Sequence, residues 1–415
     1  MRHGLTLGAV ALALLIAPAA ARAQVSLFQG QEISLKLDGY IRAISVLHDL
    51  GFQLPDEWGP TPDTETGLHG QVGRLRWHLE GPRWRVEVHN RLQLRITSQS
   101  TGEPVVGFGV GAEPPRLADL RTYFLERDRL MAWHDIDRLS LTANVGPADL
   151  TVGRQPITWG TATLFPVADL WTTFGPFEQD TDEKPGIDAA RTLLYPGAGI
   201  ELDLVVAHRG DLEDLSAGAR ITASRASADI WGGAGKFWRQ IMAMGGITLL
   251  GDHSRWRAEA VLPWDMDDRS FQQPRITLGA ERIGGTRSIG VEYHYNGIGT
   301  RHTDRYLLTS LDPRVQRGET YYLGRHYAGA IGTWSPDQQN RLLLSLTTMA
   351  NLGDGSLVVS PNLNYDLGQA VRLSLGGLIS AGASPRFATS PPFVDPRSEF
   401  RLYGDALFTL ISVYF

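Results

Sequence analysis

The chain closes on ALFTLISVYF, Ala406 to Phe415. Counting back from the end, Val413, Ile411, Thr409 and Leu407 fall on one face, apolar and compatible with lipid. Tyr414, Ser412, Leu410, Phe408 and Ala406 form a mixed opposite face. The period of two is that of a strand. A strand of about ten residues crosses a bilayer at a tilt.

The same alternation runs back through the chain. Ile33, Leu35, Leu37 and Ile41 oppose Lys36, Asp38, Tyr40 and Arg42. Gly73, Leu75, Trp77 and Leu79 oppose Arg74, Arg76, His78 and Glu80. Gly81-Pro82 then turns the chain. Beyond it, Trp84, Val86, Val88, Leu92, Leu94 and Ile96 oppose Arg83, Arg85, Glu87, His89, Arg91, Gln93 and Arg95. Short turns recur at Gly146-Pro147, Pro196-Gly197, Gly251-Asp252, Gly284-Gly285, Ser335-Pro336-Asp337 and Gly368-Gln369. Longer connections lie between them at 51–69, 98–118, 155–188, 264–272, 297–319 and 382–399. A soluble sheet with one wet face also alternates. What distinguishes this chain is repetition without helices, with short turns on one side and long loops on the other.

After residue 23 no run approaches the length of apolar sequence a spanning helix needs. The mean hydropathy of -0.15 is that of a soluble protein. A barrel hides its lipid face in this way, because apolar and polar residues alternate. The predicted fold is therefore all-β, a transmembrane antiparallel barrel of about 16–18 strands and a single domain over residues 24–415. Segments 116–138 and 216–250 parse poorly and leave the count open. Trp77, Trp84, Trp238, Trp256, Trp264, Tyr293, Tyr295 and Trp334 stand near strand ends, where aromatic girdles at the membrane interfaces are expected.

The other end of the chain reads as a secretory leader over residues 1–23. Arg2 and His3 precede an apolar run from Leu5 to Ala17, and Ala21-Arg22-Ala23 forms a cleavage site, so the mature chain is expected to start at Gln24. Losing Arg2 and Arg22 takes the net charge from -6 to -8. There is no cysteine, which excludes disulfides, thiolate metal sites, cysteine catalysis and a lipobox. No basic domain supports nucleic-acid binding. A closing strand that ends on Phe415 resembles the carboxyl-terminal signal of bacterial outer-membrane barrels. That resemblance implies recognition by the barrel-assembly machinery and a place among outer-membrane lipid and lipopolysaccharide.

Two groups of residues carry the functional reading. Arg74, Arg76, Arg83, Arg85, Arg91 and Arg95 lie opposite the apolar face, and Arg255 and Arg257 continue that pattern. An arginine facing the bilayer midplane costs about 2–4 kcal/mol, so this face belongs to the lumen as a pore-lining wall. Such a wall attracts anions, or is stiffened by pairing with Glu80, Glu87, Glu259 and Glu281. The second group is the loop 155–188, where Glu178, Asp180, Asp182, Glu183 and Asp188 surround Lys184. Folded inward, it narrows the lumen and sets ion selectivity. Lying outside, it is an acidic loop able to bind divalent cations with lipopolysaccharide.

Before that loop stands VGRQPITWG, Val152 to Gly160, then PVADL at 166–170 and Lys184-Pro185-Gly186. Gly153, Arg154, Gln155, Trp159, Gly160, Pro166 and Asp169 resemble the motif of a family of proteobacterial outer-membrane, porin-like barrels whose substrates are mostly undefined. In that setting Arg154 and Gln155 are expected to tether the incoming loop to the lumen wall.

Enzymatic readings find little footing. No G-x-S-x-G elbow and no HExxH occurs. His294, with Glu292, Asn296 and a distant Ser288, is the nearest approach to a triad. The expected function is a channel for small hydrophilic solutes, anionic or dipolar ones among them, with no cofactor and no metal. Alternatives are a plugged or structural barrel serving a secretion or surface-polysaccharide system, and a barrel enzyme acting on lipid. Oligomeric state is open.

Overall fold

The computed structural model describes residues 24–52, 65–98, 113–176, 178, 181–211, 213–337, 339–387 and 394–415. Residues 1–23, read above as a leader, and Asp180 lie outside the described residues. Eighteen strands make the wall. They are β1 (Ser34–Asp49), β2 (Glu65–Gly81), β3 (Trp84–Thr97), β4 (Leu130–Val145), β5 (Ala148–Gln155), β6 (Ile187–Gly197), β7 (Ile200–Ala207), β8 (Ser216–Arg225) and β9 (Ala228–Phe237). The ring continues with β10 (Gln240–Leu250), β11 (Ser254–Asp265), β12 (Arg275–Gly284), β13 (Arg287–Asn296), β14 (His326–Trp334), β15 (Leu342–Asn351), β16 (Leu357–Asp366), β17 (Val371–Ala381) and β18 (Asp405–Tyr414).

Each strand pairs antiparallel with its neighbours in sequence, and β18 returns to β1 from Tyr40 opposite Tyr414 to Asp49 opposite Asp405. Closure satisfies the backbone of every wall strand, the condition for crossing lipid with strands. Leu47, Leu92, Val152, Val206, Ile241, Trp256, Leu278, Val291, Leu346, Ile379 and Leu407 are exposed on the outer face. Arg74, Asp135, Asp203, Glu259 and Glu292 are buried on the inner one. This is a barrel of the bacterial outer-membrane type.

The two segments that parsed poorly resolve for physical reasons. Over 116–138 a short strand, Thr122–Arg127, pairs with the start of β4. A bulge against His89 and Asn90 then puts Asp137 beside Arg138, so alternation slips by one. Over 216–250 run β8, β9 and β10. Their facing glycines, Gly232 opposite Gly245 for example, dilute the apolar pattern. At one end of the barrel the turns are tight: Gly146 has φ +61°, the left-handed conformation a short hairpin demands. Below Tyr414, where β18 stops, Val25–Gln29 pairs with the start of β1 and continues the sheet beyond the ring.

Candidate solute passage

Between β5 and β6 the chain leaves the wall for residues 156–186. A stretch outside any ladder carries unpaired N–H groups, and burying one without a partner costs about 1–3 kcal/mol. Two inward carboxylates take them up. The N–H groups of Thr161 and Ala162 donate to Glu259 Oε2 at 2.6 and 3.2 Å, and that of Ala168 to Oε1 at 3.4 Å. The N–H groups of Thr163, Leu164 and Phe165 donate to Glu292 at 2.7, 2.9 and 3.1 Å. The carbonyls are held as well: Thr277 Oγ1 donates to Phe165 O at 2.7 Å and the Tyr322 hydroxyl to Leu164 O at 3.2 Å.

The return limb is held by three consecutive charged residues, each with its own partner. Asp182 bonds Arg42 of β1. Glu183 pairs with Arg76 of β2 and Arg138 of β4, each at 2.9 Å. Lys184 bonds Asp169 on the outbound limb and donates to Thr158 Oγ1 at 2.8 Å. Burial pushes the Asp169 carboxyl up to about 6, even with the Lys184 ammonium beside it. A segment bonded to β11 and β13 on one side of the ring and to β1, β2 and β4 on the other is a crossbar through its interior.

The crossbar fills one side of the ring with apolar side chains. Ile157, Trp159, Val167, Leu170 and Trp171 pack against Val205, Phe237, Met242, Met244 and Val261 of the inner wall. Trp159 stands edge-on to Trp171 at 5.0 Å, and Trp171 lies 4.7 Å from Phe237. The buried Trp159 Nε1 donates to Asp203 Oδ2 at 2.8 Å. Across from it, β8 carries Gly218, where a Cβ would stand 2.9 Å from the indole.

On the opposite side, under β14–β18, space remains. A polar cavity of about 570 Å³ opens toward the tight-turn end, lined by Arg42, Asp182, Arg341, Asn362, Asn364 and Arg372. A second cavity of about 340 Å³, toward the long-loop end, is lined by Phe165, Phe174, Tyr321 and Tyr322. Glu178 and Thr181 line both, so the two cavities adjoin at the crossbar's edge.

The arginines predicted to line the pore are mostly engaged. Arg74 is buried with Asp137, Nη2 to Oδ2 at 2.7 Å, and both side chains are 3% exposed. Arg76 bonds Asp38 and Glu183. Arg85 pairs with Glu87 at 3.2 Å and Arg91 with Asp135 at 3.1 Å. Arg95 lies 5.5 Å over the Trp133 ring. Arg255 and Arg257 share Glu281 at 3.2 and 2.8 Å. Arg83 sits in the β2–β3 turn. Glu80 holds Lys36 at 2.9 Å, whereas Glu259 holds the crossbar's backbone.

Two expectations, on Arg154 with Asp188 and on Trp238, need correction. Arg154 and Asp188 point outward, on the face of Leu139 and Val152 to which β5 registers them. Arg154 Nε donates to Asp188 Oδ1 at 2.8 Å, and the guanidinium caps Ile136 O and Ala118 O. It closes the outer rim and leaves the lumen tether to others. Gln155, on the inner side, donates to Ala189 O at 3.2 Å. Trp238, expected in a girdle, is buried between the guanidiniums of Arg209 and Arg317, at 4.7 and 4.4 Å. Ser288 and His294 are not brought together: Ser288 Oγ meets Thr333 Oγ1 at 2.8 Å and His294 Nδ1 meets Thr277 Oγ1 at 3.2 Å.

Of the other motif residues, Gly160 lets the chain double back, a Cβ there meeting Pro166 and Asp169 at 3.1 Å. Phe415 exchanges backbone hydrogen bonds with Gly39 at 2.9 and 3.0 Å, sealing the seam. Among the described residues no cluster of His, Asp and Glu is arranged to hold a metal ion. Sequence reasoning missed the crossbar's wall partners, Glu292, Arg42 and Arg138. An inward-facing acid with no arginine in register, as at Glu292, was the available signal.

No protein-family profile matches the chain, and no curated protein matches it in sequence. Solved structures do match in fold. OccK7 (OpdD) of Pseudomonas aeruginosa is 12% identical with a TM-score of 0.52, over 92% of this chain and 98% of that one. OccAB3 of Acinetobacter baumannii is 9% identical with a TM-score of 0.55, over 92% and 99%. The Pseudomonas aeruginosa protein OpdK, solved with vanillate, is 10% identical with a TM-score of 0.52, over 92% and 98%. The likeness spans nearly the whole barrel in each.

Proposed function

We propose that this chain is an outer-membrane channel for the diffusion of small hydrophilic solutes, exported by a leader cleaved after Ala23. The observation that carries the reading is the pair of cavities meeting at Glu178 and Thr181 on the open side of the ring. An eighteen-strand barrel is wide enough for a water-filled lumen. The crossbar narrows it to an off-centre path. The constriction is made by Glu178, Thr181 and Asp182, with Glu183 and Lys184 anchoring the crossbar behind it and the arginine wall as its electrostatic frame. Because those arginines are largely neutralised in place, charge preference is weak and shape decides passage. The GRQ-x-x-x-WG run resembles that of a porin-like family, and in this chain Trp159 and Gly160 seat the crossbar. Likeness in fold to OpdK, solved with vanillate, is consistent with small organic solutes. Reconstitution of the mature chain in planar bilayers tests the proposal: discrete ohmic steps support it, and the absence of any conductance sinks it.

A further inference from the structure

The polar cavity carries an ordered set of charges. Arg42, Arg341 and Arg372 line it together with Glu178, Asp182 and Asp366, so its formal charge cancels. Each side holds both signs: with the crossbar, Asp182 is 50% exposed and its partner Arg42 3%, and on the wall Arg372 is 45% exposed and its partner Asp366 32%. Glu178 and Asp182 belong to the crossbar. Arg341 and Arg372 stand on the β14–β18 side, Arg341 just before β15 and Arg372 on β17. Asp182, half exposed, is fixed by Arg42 and by the Tyr414 hydroxyl at 3.3 Å. Arg372, 45% exposed, is fixed by Asp366, Nε to Oδ1 at 2.7 Å. Arg341 is anchored through its backbone, its N–H donating to Asp337 Oδ2 at 2.8 Å. The uncharged Asn362, Asn364 and Ser374 line the same wall, on β16 and β17 beside Arg372.

A simple anion or cation gains from the group of opposite sign on one side only, an advantage reduced by the counterions Arg42 and Asp366. A molecule with both charges gains from both sides and aligns across the path. We propose that the polar cavity is a solute subsite selective for small zwitterions, with the carboxylate toward Arg341 and Arg372 and the ammonium toward Glu178 and Asp182. This rests on the channel reading and names the solute class of the same passage.

The test uses the mature chain in proteoliposomes at neutral pH and near-isosteric probes: alanine (zwitterion), lactate (anion), alaninamide (cation) and lactamide (neutral). Alanine should enter about threefold faster than lactamide, the scale of one partly exposed charge contact. Arg341→Ser should remove that advantage and shift the residual preference toward alaninamide. Glu178→Gln should remove it and shift the preference toward lactate. The readout is the ratio of alanine to lactamide entry within each variant, and circular dichroism of the proteoliposomes shows that both variants fold and insert. Equal entry of alanine and lactamide in the unaltered chain, or variants that slow all four probes alike, overturns the subsite while leaving the channel. Entry of none of the four overturns the channel reading itself.

Discussion

Arg74 and Asp137 show how single residues hold this wall. Both side chains are 3% exposed, and Arg74 also donates to the Tyr40 hydroxyl at 3.0 Å. Removing one member of such a pair leaves a buried charge without its counterion, at about 3–5 kcal/mol. Asp137→Ala should therefore lower resistance to urea unfolding in lipid vesicles by about that much. Arg74→Met with Asp137→Leu should recover most of the loss, and equal losses in the single and double variants would show that the charges are not coupled. Arg74 could be placed on the inner face from alternation alone, since the Leu75 parity fixes it. Its partner could not. Asp137 owes its position to a bulge that no period-two pattern contains. Arg154 misled in the opposite sense: charge argued for the lumen, while register with Leu139 turns it outward, where Asp188 neutralises it.

At the scale of elements, the crossbar is the part on which function turns. Its outbound limb hangs on Glu259 and Glu292, which together accept six backbone N–H groups. Glu259→Ala with Glu292→Ala should free that limb and give larger, noisier conductance steps, while the wall stays intact by circular dichroism. Unchanged steps would mean that apolar packing around Trp159 and Trp171 suffices. The Asp169–Lys184 bond adds a dependence on pH. With the Asp169 carboxyl raised to about 6, a proton binds between pH 7 and pH 5. For a raised carboxyl, the contribution to folding stability is present below the ordinary carboxylate value and is lost as pH rises through about 6. Acidification therefore leaves the fold secure while removing the charge that holds Lys184. Current noise should rise as pH falls through about 6, and Asp169→Asn should show the noisy state already at pH 7. A flat pH profile in the unaltered chain contradicts this. The length and acidity of the segment were legible in sequence. Its path was not, because the acids that hold its outbound limb, Glu259 and Glu292, lie 90 or more residues away along the chain.

For the whole molecule, the closing strand and its alternation were enough to predict an all-β ring, since period-two patterning is local. The ring's uneven filling depends on which strands the crossbar's aromatic residues meet, and that is a matter of tertiary packing. The result is a barrel with one packed side and one open side. Bulk charge selectivity should accordingly be small: Arg85→Ser with Arg91→Ser should move the reversal potential in a salt gradient only slightly, because Glu87 and Asp135 already face those side chains. A large shift toward cations would instead mean that the arginine wall carries the ion path. On this reading solutes pass the crossbar on its Glu178–Thr181 edge. Single-channel recording of the mature chain with Thr181→Cys tests this most directly, because the sequence contains no other cysteine. Regular ohmic steps that a small thiol reagent reduces sharply are expected. Steps untouched by complete modification of Cys at that position would contradict it.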